Sequence, residues 1–133
     1  MKTEAAIYHQ LVNTAGLVAL VGARIFPVIL EQDIDFPAVT YQRLGSSPIH
    51  ASGSDATLRD VTMGIAVVAD QYEDAKNVQA QVEVALTDFS GEMGGTGGVQ
   101  VQRCFIENIA EDFSDDIRAY IVTLEFSVWA EEA

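Results

Sequence analysis

Apolar positions along the chain follow two periods, and the changes between them mark the elements. Thr3 stands where it can cap a first helix, with Glu4 in its first turn and Ile7, Leu11 and Val12 on one side. Asn13-Thr14-Ala15-Gly16 interrupts it, and Thr14 opens a second short helix over Ala15–Val21 that Gly22 ends. Pro27 and Pro37 bracket an irregular connector, since neither belongs in a central strand. Ala38–Leu44 then reads as a strand, and Gly45–Thr57, rich in Gly and Ser, as a long loop. Alternation returns over Leu58–Ala69, with Val61, Met63, Ile65 and Val67 on one face. Asp70, with Glu73 three residues on, predicts a capping box for a helix striped by Ala75, Val78, Val82, Leu86 and Phe89. Gly91–Gly98 reads as a flexible turn. Val99–Ile109 and Tyr120–Ala130 read as the last strands, the latter lining Tyr120, Val122, Leu124, Phe126 and Val128 along one face. The expected fold is α+β in the order α-α-β-β-α-β-β, an antiparallel sheet of about four strands with helices over one face.

At 133 residues the chain suits one domain, 1–133, and 49% apolar content argues against disorder. Charge narrows the function. Twenty acids against seven bases give a formal charge of −13. A chain whose only lysines are Lys2 and Lys76 lacks the basic face that grips phosphates. The excess is lopsided, with six acids and four bases in residues 1–66 but fourteen acids and three bases in residues 67–133. Such a surface repels a polyanion, which lets one pass without sticking. Cys104 is the only cysteine, so no intramolecular disulfide or multi-thiolate metal site is possible. The longest apolar run, Leu17–Val21, is too short to span a bilayer, and a soluble, unsecreted protein with no membrane partner is expected.

No catalytic constellation stands out, so no enzyme, cofactor or metal is expected. Gly94-Gly95-Thr96-Gly97-Gly98 lacks the Gly-Lys-Ser/Thr of a phosphate loop and reads as a hairpin turn. His50 lies in a loop with Ser47, Ser52 and Ser54, without the elbow that presents a hydrolase serine, whereas His9 reads as a solvated or interface histidine. Glu107, Glu111, Asp112, Asp115 and Asp116 form the densest acidic stretch, read as a solvated hairpin connection and a candidate acidic surface or lumen lining, without the spacing of a calcium loop. Cys104 is expected to be a small buried hydrophobe. Arg24, Arg43, Arg59, Arg103 and Arg118 stand near or within strands, where a guanidinium pairs with a carboxylate of its own fold or of a neighbour. With Ser47, His50 and Ser54 they form the candidate interface set.

Several segments in order resemble the phage tail completion family, which is similar to the tail terminator proteins of long-tailed bacteriophages and phage-like particles, gene transfer agents included. They are Ala15–Pro27 (AGLVALVGARIFP), Phe36–Arg43 (FPAVTYQR), the helix from Tyr72 to Phe89 with Asp88-Phe89-Ser90-Gly91, and Tyr120–Trp129 (YIVTLEFSVW). The resemblance implies a structural virion subunit that forms a ring, hexameric in expectation, at the head-proximal end of the tail tube. Its implied partners are copies of itself, the tail tube protein and a neck, stopper or head-completion protein. DNA would pass through without specific binding, the ring sitting at the tail–neck junction after assembly in the bacterial host cytoplasm. From a different class, a small α+β ligand-binding or regulatory module of a bacterial cell is the alternative, and a hydrolase using His50 with a loop serine is a third.

Overall fold

In the computed structural model, which describes residues 2–49 and 58–132, two helices, three strands, a third helix and three more strands follow one another along the chain. They are α1 (Thr3–Val12), α2 (Ala15–Val21), β1 (Ile25–Pro27), β2 (Ala38–Pro48), β3 (Leu58–Ala69), α3 (Tyr72–Leu86), β4 (Gly91–Met93), β5 (Val99–Ser114) and β6 (Ala119–Glu131). The strands form one curled sheet in the order β1-β2-β3-β6-β5-β4. β2, β3, β6 and β5 pair antiparallel in turn, and β4 pairs antiparallel with β5. β1 runs parallel to β2 through Ile25↔Val39, Phe26↔Thr40 and Pro27↔Tyr41. The expected α+β class and the helices over one face are observed; the four-stranded antiparallel sheet is corrected to six strands and a mixed sheet.

The longest alternating runs take the centre because both flanks of each are paired. On their helix-covered face Val61, Met63, Ile65, Val67, Val122, Leu124, Phe126 and Val128 are all buried. Ile7 and Leu11 of α1, Leu17 and Val21 of α2, and Val78, Val82 and Leu86 of α3 close over them. Each such side chain removed from water stabilises the fold by about 1.5–3 kcal/mol. Cys104 joins this core as a small apolar group, and burial pushes its thiol up to about 12.

The remaining corrections come from pairing that short sequence windows do not encode. The residues before Pro27 are an edge strand, a place that tolerates proline. Gly45–Pro48 continues β2 against the first half of β3, so only the rest of the expected loop stays outside it, and residues 50–57, with His50, Ser52 and Ser54, lie outside the described residues. Gly91–Met93 is strand β4, and Gly94–Gly98 is the turn that joins it to β5. Gly98 is needed there, since a Cβ would stand 2.1 Å from the Met93 carbonyl oxygen. The expected capping box on α3 does not form: its N-cap is Gln71 and no side chain bonds to it. Phe89 lies beyond the end of α3 but still packs on the core. Thr3 is not a cap either. It sits buried inside α1, where its amide donates to the carboxylate of Glu132, 129 residues away.

Three extra residues interrupt the ladders. Leu44 has no partner on β3, and Gln102 and Glu107 have none on β6. Each insertion bends its strand and adds local twist.

Candidate functional site

Because the helices cover one face, the other face of the sheet is open. Alternation places Gln42 of β2, Gly64 and Ala66 of β3, Thr123 of β6, and Asn108 and Ala110 of β5 on it. Leu44, the extra residue of β2, lies over Gly64, leaving 3.0 Å between its Cδ1 and the place of a glycine Cβ. Small, polar side chains dominate the centre, and Val28 lines a shallow hollow there with Thr40, Gln42, Leu44, Gly64, Ala66 and Thr123. Val28 is two-thirds exposed at φ 64°, a conformation that β-branched residues rarely adopt.

Carboxylates ring this face. Asp60 accepts a hydrogen bond from the Ser127 hydroxyl, Glu125 accepts from the Asn108 amide at 3.3 Å, and Asp112 is exposed. The cation among them, Arg103, lies 5.0 Å from the ring centroids of both Phe105 and Trp129. Its charge is therefore spread over two aromatic faces and has no ion pair with an acid among the described residues.

Both sides of the sheet end in partly uncovered strands. β4 covers β5 only at Val99–Val101, and β1 covers β2 only at Val39–Tyr41. Just past those caps, the Asp88 amide donates to the Cys104 carbonyl and the Val28 amide to the Tyr41 carbonyl, each at 2.9 Å. Beyond these bonds no described strand flanks β5 over residues 105–114 or β2 over residues 42–48.

The acidic stretch is thus mostly strand rather than the expected connection. Glu107 is one of the extra residues, Glu111 and Asp112 are paired with Val122 and Ile121, and only Asp115 and Asp116 lie in the turn. Glu111 points to the helix-covered face and accepts hydrogen bonds from Lys76 Nζ at 2.6 Å and Tyr72 Oη at 2.9 Å. The Lys76 bond, then that of Tyr72, holds its carboxyl below the ordinary range, while Glu111 raises both partners in return. Tyr120 packs edge-on against Tyr72 and Phe113, at 5.5 and 4.9 Å between ring centroids, so the far end of β5 is tied to the start of α3. Among the described residues no three His, Cys, Asp or Glu side chains group to hold a metal ion.

The candidate arginines separate into different environments. Arg43 pairs within the chain, its Nη2 at 2.6 Å from Glu4 Oε1 and 2.7 Å from Glu132 Oε2. Glu132, whose side chain is 3% exposed, was not singled out by the sequence because its partners are so far off along the chain. Burial raises its pKa, but the Arg43 bond and the Thr3 amide outweigh that and hold it below the usual carboxylate range. The bond to Glu132, more than that to Glu4, raises Arg43. Arg24 Nε donates to the Pro37 carbonyl at 2.9 Å, and Arg118 stands 3.6 Å from Asp115 and over the Phe113 ring. Arg59 has no carboxylate partner among the described residues, and Ser47 is exposed on β2. His50 and Ser54 lie outside the described residues. The described members of the candidate set are therefore not gathered at one site: Arg24, Arg43 and Ser47 lie near the β2 side, Arg103 and Arg118 near the β5 side.

Comparison with known proteins adds to this geometry. A family model described as tail completion protein gp17 matches residues 5–131. Among solved structures, the chain resembles one from "Virion of native gene transfer agent (GTA) particle", with 21% identity and a TM-score of 0.73, covering 98% of this chain and 95% of that one. Comparison with curated proteins gives no match.

Proposed function

The chain belongs to the tail completion protein gp17 family, whose role is structural and in the phage tail, and on that premise we propose that it forms a ring capping the head-proximal end of a tail tube. In this reading it is a virion component without enzymatic activity. It stops tube growth, joins the tube to a neck or stopper protein at the tail–neck junction, and lets DNA pass. The family match over residues 5–131 carries the proposal. The resemblance in fold to a chain of a gene transfer agent virion is in keeping with it.

The open face supplies the physical chemistry for a conduit. Asp60, Asp112 and Glu125 give it negative charge, and Arg103, held between two rings, is poorly placed to grip a phosphate. Facing a lumen, such a surface repels the DNA backbone from every side, so the strand slides rather than binds. Short side chains also leave little to snag a moving polymer.

Electron microscopy of particles made with and without the gene tests this reading. With it, labelled protein marks the junction of tail and neck and the tails have uniform length. Without it, tails of irregular length that lack heads are expected. Label along the tube or at its distal tip, or normally joined particles without the gene, would overturn the proposal.

A further inference from the structure

The two uncovered strand edges differ in a way that decides what can cover them. Residues 105–118 carry Glu107, Glu111, Asp112, Asp115 and Asp116 against Arg118 alone, whereas residues 42–48 of β2 hold no carboxylate and one base, Arg43. Two β5 edges brought together would set like charges opposite one another, which disfavours a two-fold dimer through that edge. A β2 edge carries no carboxylate of its own to repel them, its Arg43 being already held by Glu4 and Glu132. Direction agrees as well. β2, β3, β6 and β5 alternate in direction, so β5 runs opposite to β2. A second copy laid beside the first in the same orientation therefore presents its β2 antiparallel to β5, the pairing used throughout the centre of the sheet.

From these features we infer that β5 of one copy pairs edge to edge with β2 of the next, making one sheet continuous across subunits; the inference rests on the ring reading above. The occupant of each edge is a second copy of this chain, and the contact is head to tail, the kind that closes as a ring when its rotation divides a full turn. The caps fix the register. β1 and β4 block opposite ends of the two edges, and the open stretches are centred on Gly45 in β2 and between Ile109 and Ala110 in β5. Within one copy, Ile109 lies level with Leu124, Ile65 and Tyr41. Bringing the open stretches together thus shifts the neighbour by four residues along the strand, about 13 Å at a strand rise of about 3.3 Å. Four strands per copy span about 19 Å at about 4.8 Å each, so a closed ring meets this shift by tilting its strands about 35° to its axis, within the range of closed barrels. In this register Ser47 faces Asn108 of the neighbouring copy. Both are exposed and both lie on the helix-free face, with Ser47 opposite Asp60 and Asn108 opposite Glu125.

Disulfide trapping in assembled particles tests the pairing. Ser47→Cys with Asn108→Cys, or with Ala110→Cys for a slip of one pair, is oxidised in particles and run on a non-reducing gel. A ladder of linked multimers up to the ring size is expected from one of these pairs, with each single variant monomeric; Cys104 is 2% exposed and stays out of the reaction. Absence of a ladder from both pairs, or dimers from a single variant, overturns the inference. Ser47→Asp gives a second readout: the melting temperature of the free protein falls by no more than about 4 °C, the cost of the Asp60 carboxylate opposite it, while its incorporation into particles falls at least tenfold, and unchanged incorporation counts against the pairing. The two readings fail separately. A ladder on protein located away from the tail end keeps the edge pairing and refutes the capping role, and a ring at the tail end without a ladder does the reverse.

Discussion

Arg43→Met removes the cation shared by Glu4 and Glu132, and its cost follows from the burial of the acid left behind. Glu132 retains the Thr3 amide as a partner, but its side chain is 3% exposed and its charge loses the guanidinium. Breaking a buried pair by deleting one member costs about 3–5 kcal/mol, and the partial exposure of Arg43 and Glu4 places this case at about 3 kcal/mol. An unfolding entropy of about 2.1 cal/mol/K per residue, taken over 133 residues, turns that into a fall of about 11 °C in melting temperature. The assay is urea unfolding at pH 7, read as a shift in midpoint at constant slope, beside a thermal melt. Arg43→Met with Glu132→Leu should recover most of the loss, because the carboxylate then left without the guanidinium is that of Glu4, 40% exposed and open to water. Acidity gives an independent check. The folded pKa of Glu132 is depressed, so its stabilisation is fully present above the unfolded value of about 4.3 and is lost as pH falls through the folded one. Wild type should lose stability below about pH 5 by this route, and Arg43→Met should show a shallower acid limb. A loss under about 1 kcal/mol, or a double variant no more stable than the single, would refute the reasoning.

The other predictions concern packing and reactivity. Leu124→Ala, at a fully buried position between Ile65 and Ile109, should cost about 2–5 kcal/mol in urea unfolding; a loss under about 1 kcal/mol would mean the strand faces are reversed. Gly98→Ala drives a methyl group into the Met93 carbonyl and should cost more than about 2 kcal/mol, with a stable variant showing that the turn has another route. Cys104, with its thiol pushed up to about 12, should react with a disulfide reagent at pH 8 about a thousandfold slower than a free thiol, until urea unfolds the chain. Reaction within seconds in the folded protein would contradict its burial.

What the sequence disclosed were the elements whose own side chains carry the signal. α3, β3 and β6 are long and regular, so the core faces over Val61–Val67 and Val122–Val128 followed from period alone. β1 and β4 have three residues each, too few to show a period, and exist because a longer neighbour offers an edge. Gly45-Ser46-Ser47-Pro48 has turn composition but is held extended by β3, as Glu111 and Asp112 are by β6. Tertiary pairing overrides local preference in both. Thr14 and Gly22 do bound α2 as expected, but Thr3 does not cap α1, for a related reason: the group that serves that end is Glu132, from the other end of the chain. Among the candidate residues, charge marked the arginines and the acidic stretch, but only the fold could show that Arg43 turns inward to two acids while Arg103 lies between rings.

Glu107 faces no residue of β6, while Ile106 and Asn108 on either side of it pair with the consecutive residues Phe126 and Glu125. Loss of that single codon would leave every other residue of β5 with its present partner and on its present face. The strand would only straighten. An insertion elsewhere in β5 that no further bulge absorbs would instead turn every side chain beyond it to the opposite face. In this sheet, then, curvature is a trait that a change of one codon in gene length can alter while the core sequence and its contacts stay as they are.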